Sequence, residues 1–178
     1  MKTTQILLSG FGGQGILFAG KVLAYKGLIE NKNVSWLPSY GPEMRGGTAS
    51  CSVIVSDTPI GSPIVSKPDI LIAMNLPSLD RFEKNVVSGG KIFMDSSLIE
   101  RGAARDDVEV YPVPATKLAG ENGFPTLANM ILIGKLLDVL GEYDSQLICD
   151  ALKKVIPPKK ANLLDVNLNA IEIGANFE

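Results

Sequence analysis

The chain contains no histidine, which removes the side chain that most often serves as a general base near neutral pH and the commonest metal ligand. It has two cysteines, Cys51 and Cys149, in no pairwise motif. They are too few for an iron–sulfur cluster held by this chain alone or for a four-ligand structural zinc site. If the chain takes part in redox chemistry, another chain carries the cofactor. No apolar run approaches the roughly 18 residues that a membrane helix needs. The apolar start is cut by Gly10, Gly12, Gly13, Gln14 and Gly15 too early for a secretory core. The expected compartment is the cytoplasm, with no membrane partner. Charge is balanced at 17 basic against 19 acidic residues, and no basic run carries interleaved aromatics, so nucleic acid is not an expected partner.

What is present suits one hydrophobic core. At 178 residues and 46% hydrophobic composition, a single domain spanning residues 1–178 is expected. Gln5 to Ser9 is a short apolar run ending at a glycine turn, as a buried parallel strand would. From Gly15 to about Glu30, Ile16, Ala19, Leu23 and Gly27 recur at spacings of three and four, which predicts a helix. The set Gly10-x-Gly12-x-x-Gly15 thus stands between strand and helix, the context that gives such a motif meaning. The glycines permit a tight turn and a close ligand approach, and the free amides of a helix start favour an anion. Serving only close helix–strand packing is the alternative reading.

Two standard ligand readings meet obstacles. A triphosphate loop needs Lys and Ser or Thr after its last glycine, but Ile16 and Leu17 stand there. A dinucleotide site wants a carboxylate after the second strand, and the chain reads Val34-Ser35-Trp36-Leu37-Pro38-Ser39-Tyr40.

Tyr40 to Gly47 has turn chemistry at nearly every position: Gly41-Pro42 and Gly46-Gly47 flank Glu43, Met44 and Arg45. A planar guanidinium held between glycines suits a carboxylate or phosphate of a ligand or partner; ordinary solvated charge is the alternative. Thr48–Ser56 reads as a strand and Ile60–Val65 as a short edge element. Ile70–Met74, Lys91–Asp95 and Val108–Val113 read as further strands. Helices are expected at 79–85, 115–120, 126–140, after Asp144 to Val155, and at 162–173, the last stopped by Gly174. Asn75 and Asp95-Ser96-Ser97 follow strand ends, where ligands bind in open α/β sheets; helix capping is the competing role, favoured for Ser96 and Ser97. The segment Thr126–Leu140 is apolar on almost every side and must be covered, by this domain's own sheet or by another chain. A homodimer of the isolated chain is one such cover. The fold class expected is α/β: a Rossmann-like open sheet, mostly parallel, with helices on both faces and an antiparallel edge hairpin.

The motif Gly10-x-Gly12-Gly13-Gln14-Gly15, followed by Ser39-Tyr40-Gly41-Pro42-Glu43-x-Arg45-Gly46-Gly47 and by Pro68-Asp69 before a later strand, resembles the gamma subunit of the 2-oxoacid:ferredoxin oxidoreductases. The likeness extends over almost the whole chain, including Asn129-Met130 and Gly134 in the late helix. It implies oxidative decarboxylation of a 2-oxoacid with coenzyme A, giving acyl-CoA, carbon dioxide and electrons for ferredoxin. It also implies partner alpha, beta and ferredoxin-like delta subunits that hold thiamine diphosphate and the iron–sulfur clusters, with no cofactor held by this chain alone. Coenzyme A, a substrate of the complex, thiamine diphosphate or a neighbouring subunit would meet Gly10, Gly12, Gly13, Gln14, Gly15, Tyr40, Gly41, Glu43, Arg45, Gly46, Gly47 and Asn75. The wording of the second motif is slightly closer to the 2-oxoglutarate branch than to the pyruvate branch. No catalytic residue is indicated. A free-standing NAD-linked oxidoreductase and a non-catalytic nucleotide- or coenzyme A-binding module are the rival readings.

Overall fold

A computed structural model describes residues 2–39 and 48–178. The chain builds β1 (Thr3–Phe11), α1 (Ile16–Ile29), β2 (Asn33–Ser39), β3 (Thr48–Ser56), β4 (Ile70–Ala73), α2 (Leu76–Phe82), β5 (Lys91–Asp95) and β6 (Glu109–Val113). Four helices follow: α3 (Ala115–Glu121), α4 (Ala128–Val139), α5 (Ser145–Val155) and α6 (Leu164–Ala175). The strands form one sheet in the order β2-β3-β1-β4-β5-β6. The pairs β1–β4, β4–β5 and β5–β6 are parallel, whereas β3 runs antiparallel to both β1 and β2. The expected edge hairpin is therefore β2–β3, and β3 alone opposes the other strands.

Alternation along the strands assigns two unequal cores. Ile6, Leu8, Cys51, Val53, Ile70, Ile72 and Phe93 face the larger one, with α1 and α3 to α6. Leu7, Leu71, Ala73, Ile92 and Met94 face the smaller one, closed by Leu79 of α2, Val86 and Ile99. Strands covered on both faces need continuous apolar runs, which is why Ile70–Ala73 has no polar residue. On the side of the larger core, Lys26 is buried and its Nζ reaches Glu30 Oε2 at 2.9 Å and Glu142 Oε2 at 3.1 Å, tying the end of α1 to the α4–α5 turn.

Three expectations change. Residues 60–65 form no strand, because Gly61 and Pro63 supply turns where a ladder needs donors and side chains. The helix expected at 79–85 starts earlier, since Asn75 Oδ1 accepts the Ser78 N–H at 2.9 Å and Pro77 fits the first turn. The third concerns Gly174, which does not stop the last helix: α6 continues through it to Ala175.

Gly174 instead lets α6 approach α4 backbone to backbone. A Cβ at Gly174 would overlap the Ile131 carbonyl oxygen and lie 2.7 Å from its carbon, and one at Gly134 would overlap the Ile171 carbonyl in the same way. This crossing also answers what covers α4. Its residues Met130 to Ile133 are fully buried within the chain itself, so the helix needs no second chain.

Candidate functional site

β1 delivers the chain to a turn at the carboxyl-terminal edge of the parallel strands. Gly13 (φ 97°) and Gly15 (φ 74°) take the left-handed conformation that other residues adopt only with strain. Gly15 is the residue at the head of α1, and no side chain among the described residues caps that helix. Gly10 is needed for proximity: a Cβ there would stand 2.6 Å from Gln14 Oε1, 2.8 Å from Ile16 Cδ1 and 3.1 Å from Met74 Cβ.

Gln14 braces the turn from within. Its Oε1 accepts the Phe11 N–H at 2.6 Å and the Asn75 Nδ2–H at 3.2 Å, while its own Nε2 donates to the Met74 carbonyl at 3.2 Å. Asn75 is buried and commits both ends of its amide, to Gln14 and to the start of α2. Below it, Ser78 Oγ meets Ser9 Oγ at 3.0 Å, and Ser9 donates to the Ala49 carbonyl at 3.2 Å. One buried polar chain thus fixes the ends of β1, β3 and β4 relative to one another. Both Gln14 and Asn75 act on the shape of the turn.

A cleft of about 260 Å3 opens here, lined by Phe11, Gly12, Gly13, Gly15, Ile16, Leu17, Phe18 and Ala49. None of these side chains titrates, so this lining can bind and orient a ligand but moves no proton. What it offers is the positive end of α1 with free first-turn amides. The residues Tyr40, Gly41, Glu43, Arg45, Gly46 and Gly47 lie outside the described residues. Their flanks are placed: Ser39 pairs with Ser50, and Thr48 pairs with Phe11. The chain therefore leaves and rejoins the sheet beside the glycine turn.

Other sequence candidates resolve as structure. Asp95 is buried, and its carboxylate accepts the N–H groups of Ser97 at 3.0 Å and Thr116 at 3.2 Å. Ser97 Oγ accepts the Lys117 N–H at 3.1 Å, which makes both residues caps. Burial pushes the Cys51 thiol up to about 12, against a weaker downward pull from the Trp36 indole N–H, so it is a core residue and not a nucleophile. No group of three or more His, Cys, Asp or Glu that could hold a metal occurs among the described residues. With its two cysteines on β3 and α5, this chain's own donors do not fit an iron–sulfur cluster. No helix among them is long and apolar enough to cross a membrane.

One contributor was missed in the sequence. Asn129, buried at the start of α4, donates from Nδ2 to the Gly15 carbonyl at 3.0 Å, and it leaves no room for a Cβ on Gly15. An asparagine inside an otherwise apolar helix was the available signal.

The model for the family described as pyruvate ferredoxin/flavodoxin oxidoreductase matches residues 5–177. The ketoisovalerate oxidoreductase subunit VorA of Methanothermobacter thermautotrophicus is 38% identical over 97% of this chain, which spans only 36% of that protein. The 2-oxoglutarate synthase subunit KorC of Methanocaldococcus jannaschii is 35% identical over 90% of this chain and 88% of its own length. Among solved structures, the gamma subunit of the keto/oxoacid ferredoxin oxidoreductase of Geobacter sulfurreducens superposes with a TM-score of 0.81 at 25% identity, covering 96% of this chain and 95% of that one. With residues 5–177 matched by the family's model, the chain belongs to the pyruvate ferredoxin/flavodoxin oxidoreductase family.

Proposed function

We propose that this chain is the gamma-type component of a multi-subunit 2-oxoacid:ferredoxin oxidoreductase, and that the turn Gly10 to Gly15 and the start of α1 receive phosphate groups of coenzyme A. The complex would convert a 2-oxoacid and coenzyme A to acyl-CoA and carbon dioxide and pass an electron pair to ferredoxin. Thiamine diphosphate and iron–sulfur clusters belong, in this reading, to the alpha, beta and ferredoxin-like delta chains. The observation that carries it is the uncapped head of α1 opening on an untitratable cleft, in a chain of this family. Such a helix start favours an anion by roughly 0.3–1 kcal/mol at an exposed site, and more where water is excluded.

Within that frame each residue has a task. Gly12, Gly13 and Gly15 let a phosphate reach backbone amides, while Gln14 and Asn75 keep the turn in shape. By its place in the sequence between paired glycines, Arg45 adds a fork of donors for the same anion or for a neighbouring chain. Tyr40, Gly41, Glu43, Gly46 and Gly47 shape that second segment. Proton transfer and substrate choice fall to partner chains.

The test is a pull-down of the tagged chain from its native cell extract, followed by coenzyme A-dependent reduction of a one-electron dye. The panel covers 2-oxoglutarate, ketoisovalerate, pyruvate and indolepyruvate, with 2-oxoglutarate first because of the second motif's wording. Co-elution of thiamine- and iron–sulfur-bearing chains with that activity is expected. A chain that elutes alone and inactive would overturn the reading.

A further inference from the structure

Asn129 is the one polar side chain buried in α4, and it is only 3% exposed. It makes a single hydrogen bond, from Nδ2 to the Gly15 carbonyl at 3.0 Å. That bond fixes the orientation of the amide and leaves Oδ1 sealed from solvent, with no donor among the described residues. A buried oxygen without a partner opposes folding, and native structures seldom retain one.

The bond it accompanies does little for the fold in return. The Gly15 carbonyl already accepts the Ala19 N–H at 3.0 Å, so it would be satisfied without Asn129. An apolar side chain at position 129 would avoid the stranded oxygen and leave no buried carbonyl unpaired.

What the bond changes is the peptide group that it meets. The Gly15 carbonyl and the Ile16 N–H are the two ends of one planar peptide unit, and its oxygen takes two donors, from Ala19 and from Asn129. Donors on a carbonyl polarise the whole unit, so the N–H at its far end donates more strongly. The Ile16 N–H is the first amide of α1, and it has no acceptor among the described residues. Gly15 and Ile16 line the cleft of the glycine turn, whereas Asn129 does not. Its amide packs directly on the Gly15 backbone, since a Cβ there would overlap Nδ2 and lie 3.1 Å from Cγ.

We infer that Asn129 is a positioning residue for the anion site at the head of α1. It holds the Gly15–Ile16 peptide in place from outside the cleft and strengthens the Ile16 amide as a donor. The inference rests on the function proposed above, in which phosphate groups of coenzyme A meet this helix start. It adds a residue of α4 that acts on them through the backbone of another helix.

The test uses the full-length chain labelled with nitrogen-15 and titrated with inorganic pyrophosphate, while the backbone amide resonances are followed. Saturable shifts are expected at Gly13, Gly15, Ile16 and Leu17 in the parent chain. Asn129→Leu keeps the branching of the side chain but removes the donor. It should move the Ile16 amide resonance upfield before any ligand is added, and bind pyrophosphate about threefold more weakly. Asn129→Ala guards against a leucine that does not fit; it also lacks the donor, and the same upfield shift and loss of affinity are expected. Affinity equal to the parent's in both variants overturns the inference and leaves the anion site standing. Weaker binding with an unmoved Ile16 resonance overturns it as well, because the loss then comes from packing. No saturable shift in the parent removes the anion site itself and this inference with it, so the two readings fail by different results.

Discussion

Replacing Gly134 by alanine should unfold this protein far more easily than any exposed substitution. In an isolated helix the change would help, by about 1 kcal/mol of helix propensity. Here the added Cβ overlaps the Ile171 carbonyl oxygen and lies 2.9 Å from the Ala175 amide nitrogen. Both obstacles are backbone, so no side chain can rotate away, and α4 and α6 must separate. Overpacking of this kind costs about 1–3 kcal/mol where neighbours can yield and more where they cannot. Taking about 3–4 kcal/mol for a backbone obstacle, less the propensity gain, leaves about 2–3 kcal/mol of net destabilisation. At about 2–4 °C per kcal/mol for a chain of this size, the midpoint should fall by about 4–12 °C. The assay is thermal unfolding followed by far-UV circular dichroism. Gly120→Ala in α3 is the matched control, since nothing lies within 4 Å of its Cβ position, and it should gain about 0.5–1 kcal/mol. If Gly134→Ala melts at or above the parent temperature, the α4–α6 crossing is not in backbone contact and the reasoning fails.

The turn, the buried thiol and the second motif give three more predictions. Gly13→Ala has space for its methyl group but must hold φ near 97°, so it should lose about 1–2 kcal/mol of stability. In the assembled complex it should raise KM for coenzyme A and leave KM for the oxoacid unchanged; a parallel rise in both would detach the turn from coenzyme A. With its pKa near 12, Cys51 is about one part in ten thousand thiolate at pH 8. A thiol reagent should therefore label only Cys149 until the chain unfolds, and rapid labelling of both would show an open core. Because the folded pKa of Cys51 exceeds the unfolded value, the folded state holds this proton longer, and stability should fall by up to about 1.4 kcal/mol per pH unit above about pH 9. Arg45→Ala should lower coenzyme A-dependent activity of the complex while the chain's circular dichroism stays unchanged. Full activity would remove Arg45 from the site.

Regular apolar patterning made most of the fold legible. The run Ile70–Ala73 between Pro68-Asp69 and Asn75 could only be a strand covered on both faces, and the cap at Asp144 placed α5. Gly174 was misread because a glycine near a helix end has two meanings, a left-handed stop or a bare surface for another helix. Only the partner decides, and here the partner is Gly134, forty residues earlier and invisible to any local window. The same long-range closeness explains α4. Its apolar circumference said that it must be covered, and only the crossing with α6 showed that the chain covers it unaided.

The turn was legible in its glycines, whereas the structural work of its polar residues was not. Gln14 and Asn75 read as ligand contacts because they stand at the right sheet edge, yet their amides are committed to Phe11, Met74, Ser78 and each other. A polar side chain at a strand end can bind a ligand or hold the loop that does, and sequence position is the same for both. The missing carboxylate after β2 carried more meaning than it first showed. In a sheet where the second strand adjoins the first, the end of that strand stands one spacing, about 5 Å, from the glycine turn and can reach a ribose. Here β3 lies between them, which sets β1 and β2 about 10 Å apart. An acidic residue placed after β2 would have no ribose within reach. Its absence and the inserted antiparallel strand are therefore one fact seen twice, and together they remove the ribose half of a dinucleotide site from this sheet edge.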